Sequence, residues 1–166
     1  MSKLLHLTNR FKAQANKSFL TPTQQAMLYK LQQSWQFPEK INLYGSGGSG
    51  KTFLGWVLAR QQQAMFYASP RRFFQDFTVN QSLIIDNAPI DEPQLRGILA
   101  ELQLRNINRA LFITHAPIRV PWPSFHLPTP TPTDIQTVYD HCGQMQYFTN
   151  TPRQSTNLWH IIQSIL

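Results

Sequence analysis

The sequence predicts an α/β fold in which a mostly parallel central sheet lies between layers of helices. Apolar runs typical of buried strands occur near residues 41–44, 82–87 and 110–115, and the segments between them carry apolar residues at helical spacing. Strands that alternate with helices are typical of βαβ units, which bring parallel strands into one sheet. At 166 residues, 42% of them hydrophobic, the chain suits one domain with an ordinary core.

A helix is predicted directly after Thr21. The next residues place proline at the first helical position and Gln24 at the third, which is the pattern of a capping box. One apolar face follows at helical spacing, formed by Met27, Leu28, Leu31 and Trp35. Residues 1–20 show only a weak pattern and scattered basic side chains, so we expect a basic lead-in and then a domain over 21–166.

A glycine-rich stretch follows the first predicted strand. Residues 45–52 read Gly-Ser-Gly-Gly-Ser-Gly-Lys-Thr and match the pattern G-x-x-x-x-G-K-[ST] without a mismatch. Glycines let a backbone wrap closely around a polyphosphate, and successive N–H groups of such a loop point inward. Lys51 is expected to reach the β- and γ-phosphates and Thr52 to place its hydroxyl on Mg²⁺. The positive end of the following helix, predicted over 51–62, adds to the attraction.

The predicted ligands of this loop are a nucleoside triphosphate and Mg²⁺. The residues expected to hold the nucleotide are Gly45, Ser46, Gly47, Gly48, Ser49, Gly50, Lys51, Thr52 and Phe53. A flexible Gly/Ser turn is the alternative interpretation, but a strand before the loop and a helix after it favour phosphate binding.

Two later predicted strands end in polar residues. Asp86 follows a buried run, and in a phosphate-loop protein an Asp at this place holds Mg²⁺ through water, together with Thr52. Thr114 and His115 end the next strand, where they are candidates to contact the γ-phosphate or the attacking water, because parallel sheets bind ligands at this edge. The alternatives are an Asp that caps a turn and an ordinary strand end.

Two further segments leave their interpretation open. Arg71 and Arg72 precede Phe73 and Phe74, a combination that either grips single-stranded nucleic acid or belongs to an ordinary amphipathic segment with two core phenylalanines. The segment 116–133 is dense in proline, so we expect neither a helix nor a central strand there. An extended surface segment is predicted instead, with Trp122 and Phe125 available to a partner.

Beyond this segment a short helix is predicted at 134–141, a last strand at 144–148 and an amphipathic closing helix at 157–166. Arg153 lies between the last two elements, from where it is placed to approach the nucleotide.

Composition bounds the partners. A formal charge of +7, from 15 Lys+Arg against 8 Asp+Glu, favours anionic partners such as DNA, with a merely scattered surface charge as the alternative. No apolar run reaches the roughly 18 residues of a membrane span and no signal-peptide core is present, so we expect a cytoplasmic protein without a membrane partner. The single cysteine, Cys142, excludes an internal disulfide.

The order of these motifs resembles the AAA+ nucleotidase core, within the P-loop NTPases of AAA+/RecA-like architecture. The matching stretches are the loop 45–52, the run 83–87 and the run 111–117, and the likeness covers about 21–120. Within AAA+ the sequence is most similar to bacterial replication initiators, their regulatory homologues and helicase loaders. The resemblance implies that the loop binds ATP, that Asp86 holds Mg²⁺, and that Thr114 or His115 lies near the sensor position.

The chain departs from that family in two ways. Asn87 stands where the family has an acid that polarises the attacking water, and an amide cannot take that proton. The chain is also too short after residue 133 for the usual helical lid with its sensor arginine, although Arg105 or Arg109 is available to act across an interface. The resemblance therefore implies ATP binding with slow or absent hydrolysis.

The function expected from the resemblance is a nucleotide-dependent switch or adaptor in a DNA replication, recombination or mobile-element complex, acting with a protein partner or as a homo-oligomer. A small-molecule or nucleotide kinase is the alternative enzyme class. A scaffold that has lost nucleotide binding is a third class, which the intact loop disfavours.

Overall fold

A computed structural model describes residues 8–9, 11–78, 80–144 and 157–158. Within this part of the chain, a 3₁₀ turn at Lys17–Phe19 precedes the regular elements. These are α1 (Pro22–Trp35), β1 (Lys40–Tyr44), α2 (Lys51–Gln62), β2 (Met65–Tyr67), α3 (Pro70–Gln75), β3 (Ser82–Ile85), α4 (Glu92–Leu104), β4 (Arg109–Thr114), β5 (Ser124–His126) and α5 (Pro132–Gln144).

The five strands form one sheet in the order β2-β3-β4-β1-β5, and every pairing between neighbours is parallel. The predicted α/β fold with a parallel sheet is confirmed. All strands end at the same edge, with Tyr44 opposite Thr114 and Ile85 opposite Phe112. The residues that follow β1 and β3 therefore emerge on either side of the end of β4.

Helices cover both faces of the sheet. Alternate residues of β4 point to opposite faces, so Leu111 and Ile113 belong to one buried cluster and Ala110 and Phe112 to another. The first cluster includes the apolar faces of α1 and α2, and the second that of α4. The result is a three-layer arrangement with a core on each side of the sheet.

The helical periodicity in the sequence is confirmed by burial. Thr21 and Gln24 form the capping box of α1, with both reciprocal hydrogen bonds present. The apolar positions that point inward are Met27, Leu28, Leu31 and Trp35 in α1, Leu54, Val57 and Leu58 in α2, and Leu95, Ile98 and Leu102 in α4. Among the described residues, no helix is both long and apolar enough to cross a bilayer.

The proline-dense segment differs from the predicted free surface segment. It contains β5, which pairs with β1 at the edge of the sheet, where a missing proline N–H does not break a central ladder. Trp122 stacks on Phe112 with ring centroids 5.3 Å apart, and Phe125 packs against the first core cluster. Both aromatic residues therefore contribute to internal packing, and their contact with a partner stays a prediction.

The ends of the chain differ from the prediction where they are described. The helix predicted at 134–141 extends over Pro132–Gln144, so Gln144 belongs to a helix and does not begin a strand. The rest of that strand, Arg153 and most of the closing helix lie outside the described residues. In the lead-in, Ala15 and Leu20 are buried in the first core cluster, so residues 11–20 pack on the domain.

A buried carboxylate fastens α5 to α1. Asp134, 1% exposed, accepts hydrogen bonds from the backbone N–H (3.0 Å) and the hydroxyl (2.7 Å) of Thr23. It also accepts from the N–H and the hydroxyl of Thr131, each at 2.8 Å. Burial alone would raise the pKa of Asp134, but these donors outweigh burial and lower its pKa to about 2.

Asp134→Asn should destabilise the fold in a pH-dependent way. Because the pKa is lowered on folding, the stabilisation is present above pH 4 and is lost as pH falls toward 2. The lowered pKa corresponds to a contribution of about 2 kcal/mol to the free energy of unfolding at pH 7, and to about half of that at pH 3. Urea unfolding of wild type and variant at both pH values measures it.

Asp140→Asn is the matched control on the same helix, because Asp140 is exposed and accepts only from Gln136 among the described contacts. It should change stability by less than about 0.5 kcal/mol. An equal loss for Asp134→Asn at pH 3 and pH 7 would show that the carboxylate charge is not the stabilising feature.

Candidate nucleotide-binding site

The loop between β1 and α2 needs glycine at two positions for both conformation and space. Gly48 and Gly50 adopt left-handed backbone angles, with φ of +76° and +89°. A Cβ on Gly50 would collide with the side-chain amide of Gln24, and one on Gly48 with the side chain of Asn157. The glycines of the motif therefore permit close packing by other parts of the chain as well as a tight turn.

The start of the loop is fixed by the residues at β5. The Leu127 N–H donates to the Tyr44 carbonyl at 2.8 Å, and the His126 ring stacks on the Tyr44 ring at 5.1 Å. The Leu127 carbonyl lies where a Cβ of Gly45 would be. The proline-dense segment thus determines where the loop leaves the sheet.

Lys51 bends back across the loop. Its Nζ donates to the carbonyls of Gly45 (2.8 Å) and Ser46 (2.7 Å) and lies 3.4 Å from the Ser49 Oγ. Burial lowers the pKa of Lys51, and the nearby Asp86 carboxylate partly opposes that shift. Carbonyl dipoles compensate the ammonium charge only in part, so an anion in the loop would interact with it more strongly.

Thr52 and Asp86 contact each other directly. The Thr52 hydroxyl donates to Asp86 Oδ2 at 2.7 Å, and the Asn87 N–H donates to Oδ1 at 2.9 Å. Burial raises the pKa of Asp86, while these donors and the Lys51 charge act in the opposite direction. The structure therefore brings together the two residues predicted to hold Mg²⁺.

The side chain of Asn87 makes a separate hydrogen bond. It adopts a left-handed backbone with φ of +51°, which Asn tolerates better than most residues. Its side-chain amide donates to the Ala68 carbonyl at 3.1 Å, beyond the end of β2. At the position after Asp86 the site thus presents an amide with no capacity to accept a proton.

Thr114 is buried in an internal network. Its hydroxyl donates to the Ala116 carbonyl at 2.6 Å and accepts from the Asn42 amide at 2.9 Å. The Asn42 Oδ1 accepts in turn from the Ile118 N–H at 3.0 Å. These bonds hold the turn after β4, and His115 in that turn is exposed. Contact of either residue with a phosphate stays a prediction.

A cavity of about 480 Å³ adjoins the loop, within the range of small-molecule sites. Its lining includes the polar side chains of Lys51, Thr52 and Asp86. The remaining lining is mostly apolar and includes Phe11, Phe19, Phe53, Trp56, Val138 and Leu158. Thr114 and His115 are not among the lining residues. A ligand that carries both a charged group and a flat apolar group suits this lining.

Sequence reasoning missed two residues that touch the loop. Gln24 donates from Nε2 to the Gly50 carbonyl at 3.3 Å, and the Leu158 N–H donates to the Gly48 carbonyl at 3.0 Å. The capping box identified Gln24 only as a helix cap, and Leu158 was predicted only as an apolar position of the closing helix. Neither pattern carries a signal for contact with a distant loop.

Arg105, which the sequence made available for an interface, is engaged inside the chain. Its guanidinium bonds Glu101 Oε1 at 2.7 Å and the backbone carbonyls of Phe73 and Asp76, and it lies over the Phe73 ring at 4.6 Å. Arg109 begins β4, at the edge of the sheet opposite the loop. Neither residue is placed to reach the nucleotide of its own chain.

The residues present fit a triphosphate with Mg²⁺. Two left-handed glycines form the loop, an ammonium group crosses its concave side, and a hydroxyl lies 2.7 Å from a carboxylate beside it. Comparison with known family models and with curated proteins finds no match. The ligand is therefore argued from these residues alone.

Gly50→Ala should destabilise the nucleotide-free protein, because the left-handed backbone and the Gln24 side chain both exclude a Cβ there. A loss of about 1–3 kcal/mol is expected in urea unfolding. Gly47→Ala is the control in the same loop, since a Cβ at Gly47 meets nothing within 4 Å. Its effect should stay within about 0.5 kcal/mol. Equal losses for the two variants would contradict this account of the loop.

Proposed function

We propose that this protein binds ATP with Mg²⁺ and uses it as a nucleotide-dependent switch or adaptor in a DNA replication, recombination or mobile-element assembly, together with a protein partner or further copies of itself. The observation that carries the proposal is the meeting of Lys51, Thr52 and Asp86 beside the glycine loop. The contact between Thr52 and Asp86 supports a metal site at this point, since hydroxyl and carboxylate oxygens are ligands that Mg²⁺ favours.

In this proposal each residue has a defined task. Bound ATP with Mg²⁺ supplies a terminal phosphoryl group that can be transferred to water. Lys51 exchanges the carbonyls of Gly45 and Ser46 for phosphate oxygens, and Thr52 and Asp86 hold the metal. The apolar part of the lining, which includes Phe11 and Phe19, receives the base. All of these tasks concern binding and orientation.

Slow hydrolysis is supported by the engagement of the nearby acids in other contacts. Asp86 is the only acid among the described residues that line the cavity, and it is engaged by Thr52. Asp91 caps α4 by accepting from the Gln94 N–H at 3.0 Å, and Glu92 pairs with Arg96 at 2.5 Å. Neither acid is therefore free to act as the general base that is missing at position 87.

Lys51→Ala should weaken ATP binding by about 10- to 100-fold, because hydrogen bonds to charged groups contribute about 1.5–3 kcal/mol. Isothermal titration calorimetry with Mg²⁺ and ATP measures the affinity, and a phosphate-release assay on the same samples measures turnover. Lys30→Ala removes the same charge from the exposed side of α1 and should leave the affinity unchanged.

Absence of ATP binding by the folded wild-type protein would refute the proposal. Turnover at ordinary enzyme rates, about 1–100 per second, would refute the proposed role as a slow switch. It would leave the proposal of ATP as the ligand standing. Asn87→Asp keeps a residue that tolerates the left-handed backbone and supplies a carboxylate, so it is the variant in which phosphate release should rise.

The nucleic-acid part of the proposal is supported by a basic–aromatic patch, defined as Arg71, Arg72, Phe74 and Phe77. Both arginines are exposed, and Phe74 and Phe77 are 42% and 82% exposed. Exposed aromatic rings beside arginines suit single-stranded nucleic acid, because bases stack on the rings and phosphates pair with the guanidinium groups. Phe73, in contrast, is fully buried, so the amphipathic interpretation is right for that residue.

Phe77→Ala and Arg72→Ala should each weaken binding of a labelled single-stranded oligonucleotide. A loss of about 5- to 100-fold is expected for Phe77→Ala, because base stacking contributes about 1–3 kcal/mol. Arg72→Ala should also reduce the slope of log K against log salt by about one. Fluorescence anisotropy at several salt concentrations measures both effects. Lys30→Ala is again the control. Equal losses of oligonucleotide affinity in Arg72→Ala and Lys30→Ala would show that binding depends on the overall surface charge and not on this patch.

A further inference from the structure

Gln24 links α1 to the phosphate loop through a buried side chain. It is 3% exposed, its Oε1 accepts from the Thr21 N–H at 3.0 Å, and its Nε2 donates to the Gly50 carbonyl at 3.3 Å. It also fills the space that a side chain at Gly50 would need. Both polar ends of the side chain are therefore used, one within α1 and one on the loop.

Helix capping explains only one of these bonds. A capping box needs an acceptor at this position, which Glu supplies as well as Gln. The donor that reaches Gly50 is specific to the amide, because a carboxylate at this place has no hydrogen to donate. A glutamine at this position, in contrast to a glutamate, can therefore bind the loop as well as cap the helix.

The bond to Gly50 controls the direction of a neighbouring donor. The Gly50 carbonyl and the Lys51 N–H belong to one planar peptide group and point in opposite directions. The Gly50 carbonyl accepts from Leu54 N–H at 3.0 Å and from Gln24, so its direction is held from two sides. Holding the carbonyl also holds the Lys51 N–H, one of the backbone donors that a phosphate loop turns toward its ligand.

We propose that Gln24 is a positioning residue of the nucleotide site, which aims the Lys51 N–H at the phosphates by orienting the Gly50–Lys51 peptide. The inference rests on the proposed function only in taking ATP as the ligand. The orientation of the peptide is a property of the nucleotide-free protein and can be tested without ATP.

Helix α5 extends this control. Asp134 accepts from the N–H and hydroxyl of Thr23, the residue before Gln24, and so fixes the first turn of α1. The same helix contributes Val138 and His141 to the cavity. Helix α5 therefore contacts both the cavity and the turn that carries Gln24.

The test compares three variants. Gln24→Met keeps the length and removes both polar ends, and Gln24→Glu keeps the acceptor for Thr21 and removes the donor to Gly50. Thr21→Val removes the hydroxyl that accepts from the Gln24 N–H at 3.4 Å and leaves the bond to Gly50 intact. Thr21→Val is therefore the control for weakened capping.

Two measurements are made on each variant. In nucleotide-free protein, the ¹⁵N–¹H resonance of Lys51 should move in both Gln24 variants and stay in place in Thr21→Val. In calorimetry with Mg²⁺ and ATP, Gln24→Met should bind about three- to tenfold more weakly, as expected for one lost hydrogen bond. Thr21→Val should remain within twofold of wild type, and Gln24→Glu should bind at least as weakly as Gln24→Met.

The outcomes separate this inference from the proposed function. An unmoved Lys51 resonance in both Gln24 variants, or equal losses of affinity in Gln24→Met and Thr21→Val, would overturn the positioning role. Should wild type bind no ATP, the proposed function fails, and the resonance of the nucleotide-free protein still decides whether Gln24 orients the peptide. If Gln24→Met does not fold, both measurements are made on Gln24→Glu, because this variant keeps the acceptor for the Thr21 N–H and so the cap of α1.

Discussion

The site depends on the parallel pairing of β1 with β4. Because β1 lies between β4 and β5, its carboxyl end is held on both sides, and the loop begins from a fixed point at Tyr44. β3 pairs with the other side of β4, so only the end of β4 separates it from the end of β1, and the Asp86 Oδ2 lies 2.7 Å from the Thr52 hydroxyl. A slip of one residue in this pairing would also exchange the faces of β1 and remove Leu43 from the core.

The charged groups of the site oppose stability in the absence of a ligand. Burial lowers the pKa of Lys51 and raises that of Asp86, so folding disfavours the charged form of each. Asp134 shows the reverse case, since four donors make its buried charge stabilising. Among the described residues, the buried carboxylate of Asp134 is thus satisfied by its donors, whereas at Asp86 the effect of burial exceeds that of the donors. This contrast is typical of functional sites.

Much of the fold and part of the site could be predicted from the sequence. Strong periodicity identified α1, α2 and α4. The loop pattern, together with the buried run that leads to Asp86, predicted that Lys51, Thr52 and Asp86 share one site. The three residues of β5 lie among prolines and carry no periodicity, so only its pairing with β1 reveals it. The contact of Gln24 with Gly50 joins residues 26 positions apart, and local patterns contain no information on such pairs. The role of Asn42 was missed because its hydrogen bonds join it to the turn after β4, about 70 positions further along the chain.

The shortness of β5 has a consequence for assembly. An edge strand offers free N–H and C=O groups that can template growth of the sheet by a neighbouring molecule. Here Ser124–His126 is only three residues long, and Pro123 and Pro128 flank it without an N–H to donate. Continuation of the sheet across two molecules is therefore disfavoured at this strand, so a neighbouring protein that binds here is expected to recognise side chains and not to extend the sheet.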